Sequence, residues 1–232
     1  MSTENHAYEN FRIRNVLLIF AAYILLSFAL YFHTAEKLYV NMVWNVFLAF
    51  IPLIFSTWVY RLRAKFSWVV KLALSFLWLL FFPNCLYMVT DFIHISGESF
   101  YLGREEYSQL IVSTNMTLWI RLAYIGIGAL MGIMAGLLSL QMIHLAMNRA
   151  FGKFFSGTVL AGVFLLTGFG IYLGRFLRLN SWNILHPHRL LADMFASVSG
   201  FSIKFTILYA FFAFAMYLVF CALCPAGDGR EK

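Results

Sequence analysis

Six apolar stretches constrain what this chain can fold into: approximately Ile13–Phe32, Met42–Tyr60, Trp68–Val89, Leu118–Ile143, Phe154–Leu173 and Phe205–Leu223. Each is near or above the roughly 20 residues that cross a hydrocarbon core. Lipid offers no hydrogen bond to a backbone amide, so each stretch must satisfy its own amides as a helix. Only 12% of the 232 residues are charged, against about a quarter in an ordinary soluble domain. The expected fold class is all-α: a polytopic integral membrane helix bundle of about six transmembrane helices, with short interfacial helices in two outer loops. One membrane domain over 1–232 is expected, with a bundle at 13–223 between tails at 1–12 and 224–232.

The net charge of +7 is scattered in short clusters between the apolar spans. No continuous basic face results, so no nucleic-acid partner is expected. Lys and Arg placed this way set topology. With the N-terminus in the cytoplasm, ten of the 17 basic residues lie inside, among them Arg12, Arg14, Arg61, Lys71, Arg149 and Lys153. Lys37, Arg104, Arg121, Arg175, Arg178, Arg189 and Lys204 lie outside. Both termini are then cytoplasmic. The run after Arg14 is longer than the apolar region of a cleavable leader and lacks a small-x-small cleavage site, so it is expected to stay as a first span.

Against this background, the third span ends in a polar run, Pro83-Asn84-Cys85-Leu86-Tyr87-Met88-Val89-Thr90-Asp91-Phe92-Ile93-His94. At about 100° per residue, Asn84, Tyr87, Asp91 and His94 fall on one helix face, with Thr90 beside it. Pro83 lacks an amide donor, so the helix is expected to kink or restart there. A carboxylate near lipid demands a partner. The fifth span offers Arg175 and Arg178, three residues apart, followed by Asn180, Ser181 and Trp182; the fourth offers Arg121 in its first turns. Asp91 is expected to pair with Arg175 or Arg121.

Two readings of this cluster stay open. It is an ion-pair lattice that staples helix ends, or it is an outward-facing pocket in which spare guanidinium groups grip an anionic lipid or envelope precursor, since their fork matches two oxygens. Asn84, Tyr87, Thr90, Asn180, Ser181 and Trp182 would then orient the ligand. Asp91 and His94 are the catalytic candidates, a base with its orienting carboxylate. Asp91, His94, His186 and His188 have the donor types of a zinc set, but no compact signature exists; no metal and no cofactor are expected. The same residues also suit a small proton-coupled transporter, with Asp91 or His94 as a relay, or a non-enzymatic membrane scaffold. The expected partner is the lipid bilayer; a protein partner is not specified.

Small residues mark helix contacts. Gly128, Gly132 and Gly136 recur every four residues, as do Gly170 and Gly174, a spacing that lets backbones approach; packing within one chain is the favoured reading. Tyr107, Leu110 and Ile111 suggest one interfacial helix, and Pro187 followed by Leu190, Leu191, Met194, Phe195 and Val198 suggests another. Asn115-Met116-Thr117 fits a glycosylation sequon. Cys221-x-x-Cys224 lacks the context of a redox motif.

The strings Pro83-Asn84-x-x-Tyr87-x-x-Thr90-Asp91-x-x-His94 and Gly174-Arg175-Phe176-x-Arg178-x-Asn180-Ser181-Trp182 together resemble the bacterial domain-of-unknown-function 1361 membrane family. Leu179 and Asn183 stand where that family often has Trp and Asp. The resemblance implies a multi-pass protein of the bacterial plasma membrane and implies no particular activity.

Overall fold

A computed structural model describes residues 3–62, 68–97, 100–101, 112–179 and 187–224, with the side chains of 3–17, 187, 189 and 191 outside the description. The expected helix at Tyr107–Ile111 lies outside it. The described chain is built of helices: α1 Thr3–Thr34, α2 Lys37–Arg61, α3 Trp68–Phe81, α4 Pro83–Tyr87, a 3-10 helix Met88–Ile95, α5 Met116–Phe151, α6 Lys153–Phe176, α7 Pro187–Ala196 and α8 Gly200–Leu223. An isolated antiparallel bridge joins Tyr101 and Val112. The all-α class is as expected.

Among the described residues, five segments are long and apolar enough to cross a membrane: Lys37–Arg61, Trp68–Ile95, Met116–Phe151, Lys153–Phe176 and Gly200–Leu223. The first expected span falls in α1, whose described apolar part is Leu18–Thr34. Large apolar side chains such as Leu25, Trp68, Leu130, Phe154 and Phe211 are exposed, as lipid-facing residues are. The chain is a membrane protein of several spans.

The residues group into two compact units, Met1–Phe47 and Leu48–Lys232, the boundary falling inside α2. In the first unit, α1 stops at Thr34. Its hydroxyl donates to the Leu30 carbonyl at 2.8 Å and accepts the Glu36 amide at 3.3 Å, while Ala35 turns the chain in the left-handed region.

In the second unit α5 is the central helix: 56% of its most apolar window is buried, against 22% for α8. The reason is its glycine face. A Cβ on Gly136 would lie 2.5 Å from Cys85 Cβ, and one on Gly132 would lie 2.5 Å from Met88 Sδ. On α6, a Cβ on Gly170 would lie 2.7 Å from Pro83 Cγ. Both glycine series therefore receive the same guest, the segment Pro83–Met88, wedged between α5 and α6. Gly168 makes a third close approach, to the backbone of α8 at Thr206.

Pro83 breaks the third span as expected, and the break is repaired locally. Cys85 N–H bonds the Phe82 carbonyl at 3.1 Å, an i−3 contact. The Phe81 carbonyl accepts the Asn84 side-chain amide at 3.0 Å. Cys85 donates its thiol to the Ala49 carbonyl at 3.2 Å, and Trp78 donates to Ser139 Oγ at 3.1 Å. Each of these buried or partly buried donors thus has an acceptor.

Helix ends follow ordinary chemistry. Asn115, in the sequon, N-caps α5 by accepting the Thr117 amide at 3.1 Å. Ser199 and Ser202 form a reciprocal capping box on α8. Pro187 opens α7 as expected, and Tyr172 Oη ties the end of that helix by donating to the Ser197 carbonyl at 3.1 Å. Leu190 and Met194 are partly buried, whereas Phe195 and Val198 are exposed.

Gly136→Val should lower stability by about 1–3 kcal/mol, since the wedge has no room to yield. Gly162, with nothing within 4 Å of a built Cβ, should accept Ala with no loss. Thermal unfolding in detergent separates the two.

Candidate functional site

The polar run places its side chains by a change of helix type. From Met88 onward the helix is 3-10, which turns about 120° per residue rather than 100°. Asp91 and His94 therefore stand one above the other, and Thr90 falls in line with Tyr87. Asp91 and His94 thus form a line of their own beside the one through Tyr87, and Thr90 is drawn into the centre of the site.

Antiparallel packing fixes the levels. Along α5, Gly136 lies against Cys85, Gly132 against Met88 and Gly126 against Phe92. Arg121 therefore stands beyond Phe92, at the same end as His94. Along α6 the order is parallel, with Gly170 against Pro83 and Gly174 against Tyr87. Arg175 follows at the level of Thr90 and Asp91.

Arg175 Nη2 donates to Asp91 Oδ1 at 2.6 Å, and Nε donates to Thr90 Oγ1 at 2.9 Å; Nη2 also donates to Thr90 Oγ1. The Thr90 hydroxyl donates its own proton to the Tyr87 carbonyl at 2.6 Å. The guanidinium carbon lies 4.3 Å from the centre of the Tyr87 ring. The Asp91 side chain is 2% exposed and that of Arg175 14%. The pairing expected from opposite signs is the one formed, with Arg175 as the partner. A buried pair of this kind holds because carboxylate, hydroxyl and aromatic face meet the cation together.

His94 Nε2 lies 3.8 Å from the same Asp91 oxygen, and its side chain is half exposed. Arg121 is partly exposed. Arg178 is exposed and has φ 56°, a left-handed conformation that glycine adopts more cheaply. It sits just past α6, where the Leu173 carbonyl accepts both the Leu177 and Leu179 amides. Asn84 is engaged with the Phe81 carbonyl.

Asn180, Ser181 and Trp182 lie outside the described residues, as do Asn183 and His186. His188 and Asp193 are exposed on α7. Among the described residues no group of three or more His, Cys, Asp or Glu is placed to hold a metal ion. His144 Nδ1 and Tyr217 Oη share a hydrogen bond at 2.8 Å, which joins α5 to α8.

Chemically, the geometry commits the Asp91 carboxylate to a cation. A general base there would first have to leave Arg175. The groups presented toward the surroundings are His94 and Arg178.

Asp91→Asn or Arg175→Gln alone should cost about 3–5 kcal/mol, because each strands a buried charge. The double variant should lose less than the two losses combined. Unfolding of the four proteins forms the cycle that tests this.

No curated protein and no solved structure matches this chain. Over residues 44–216 it matches the family described as Protein of unknown function (DUF1361), well over half its length and spanning the whole wedge and its arginine, and the chain belongs to that family.

Proposed function

We propose that this protein works in the bacterial plasma membrane, both termini cytoplasmic, and holds an anionic lipid or lipid-linked envelope precursor at the end of the bundle that carries Arg175. In this reading the Asp91–Arg175 pair is the positioning element. It fixes the last turn of α6, and Arg178 presents the charge that the ligand meets.

The observation that carries this reading is the conformation of Arg178. An exposed arginine stands in a left-handed position that costs a non-glycine residue about 1 kcal/mol. The helix end uses a left-handed residue here, and an exposed arginine in place of glycine makes the side chain a candidate for function. Arg121 and the half-exposed His94 add donors at the same level. A guanidinium at this depth suits a phosphate or carboxylate.

A second reading, a membrane scaffold, is favoured by the burial of Asp91, which fits a purely structural staple. A proton relay through Asp91 draws less support. The side chains preceding it, Phe82, Cys85, Leu86 and Met88, are packed with almost no exposure.

Arg178→Gly discriminates between these readings. Glycine relieves the backbone, so the variant should be as stable as the parent or more so, by up to about 1 kcal/mol. In a lipidomic comparison, a deletion strain should show an altered anionic envelope lipid or precursor that the parent gene restores and the Arg178→Gly gene does not. Full restoration by Arg178→Gly, or an unchanged envelope in the deletion strain, would sink the binding reading. Restoration by Arg178→Gly with failure of the unstable Asp91→Asn would point to the scaffold.

A further inference from the structure

The opposite end of the second unit, around Gly152, has its own charge chemistry. The sequence Arg149-Ala150-Phe151-Gly152-Lys153-Phe154-Phe155 joins α5 to α6 through one residue, Gly152, at φ 82°. The turn is held closed by a hydrogen bond from Ser156 Oγ to Asn148 Oδ1. Around it the apolar side chains point outward: Phe154 is 92% exposed, Phe151 66% and Phe155 50%. Trp58 near the end of α2 and Trp68 at the start of α3 are exposed as well. Trp and aromatic side chains exposed where spans end mark the boundary between hydrocarbon and headgroups.

Among the described residues, four basic ones stand at this boundary: Arg61, Lys71, Arg149 and Lys153. Among the described residues of this unit, the carboxylates are Asp91 and Asp193. Asp91 is at the Arg175 end. Asp193 is on α7, which Tyr172 ties to the last turns of α6. No described carboxylate of this unit stands at the Gly152 end.

Arg149 is prepared in advance. Its Nη2 donates to Tyr60 Oη at 2.8 Å, and its guanidinium carbon lies 4.7 Å from the centre of the same ring. The phenol engages one of five N–H donors and restrains the long side chain, so binding to the remaining donors costs less side-chain entropy.

We propose that Arg149 and Lys153, with Tyr60 as the positioning residue, bind the phosphodiester of an anionic phospholipid in the adjoining leaflet. The fork of Arg149 takes two phosphate oxygens and Lys153 supplies a point charge. The exposed Phe151, Phe154 and Phe155 lie against the acyl chains below. This site is separate from the one proposed at Arg178 and stands without it.

The test uses the full chain in nanodiscs of equimolar phosphatidylcholine and phosphatidylglycerol, with the lipid retained after extraction counted by native mass spectrometry. The parent should retain phosphatidylglycerol in preference. Arg149→Gln with Lys153→Gln should lower that retention by about fivefold for each charge removed. Tyr60→Phe should lower it less, and Arg149→Lys should lower it too, since an ammonium restores the charge but not the fork. Lys204→Gln, which removes an exposed charge near the start of α8 outside both sites, should leave it unchanged. Both glutamine positions are exposed, so thermal unfolding should match the parent. Equal retention of the two lipids by the parent would overturn the proposal. So would undiminished phosphatidylglycerol retention in the double variant. A loss on Lys204→Gln as large as that in the double variant would reduce the effect to overall charge and refute the site at Arg149.

Discussion

The guanidinium of Arg175 leaves α6 where the helix is about to end and is met by three partners from the neighbouring segment: the Asp91 carboxylate, the Thr90 hydroxyl and the face of Tyr87. Removing a charge from water in this setting is costly, and only such convergence makes it tolerable. The convergence in turn requires the segment after Pro83 to lie tightly against α6. Gly174 permits that approach, since a Cβ there would already press on the Tyr87 ring at 3.3 Å. Charge pairing and close packing are therefore one requirement.

The same logic runs down the wedge. Pro83 interrupts the backbone ladder and leaves carbonyls that lipid cannot satisfy. Asn84 and the Cys85 amide take up the adjacent carbonyls. Proline and asparagine thus belong together for a backbone reason, and Cys85 fits because it is small and can donate a proton to Ala49 while glycine faces close over it. The polar run therefore has two parts. Its first half repairs a helix, and its second half binds an arginine.

Much of this was legible in the residues. Uninterrupted apolar runs announce helices in lipid because no other local structure satisfies the backbone there, so α2, α5, α6 and α8 lie where the sequence points. Asp91 with Arg175 was legible because opposite charges in a greasy chain must find each other. The role of Thr90 was harder to see. It depends on the helix tightening at Met88, and a 100° projection carries no sign of that. The glycine repeats announced close contact but not its object, since a small residue says how near a neighbour comes and not which one. Asn84 was legible as a candidate from its place on the stripe, but its bond to a backbone carbonyl three residues back was not, since that bond depends on the break at Pro83. Asn180, Ser181 and Trp182 lie outside the described residues.

The one-residue junction at Gly152 bears on how the cluster is assembled. Two long helices separated by a single residue with φ 82° must double back as a hairpin, so that their distal ends lie side by side. Arg121 and Arg175 belong to those distal ends, so chain connectivity alone brings both arginines to one end of the unit.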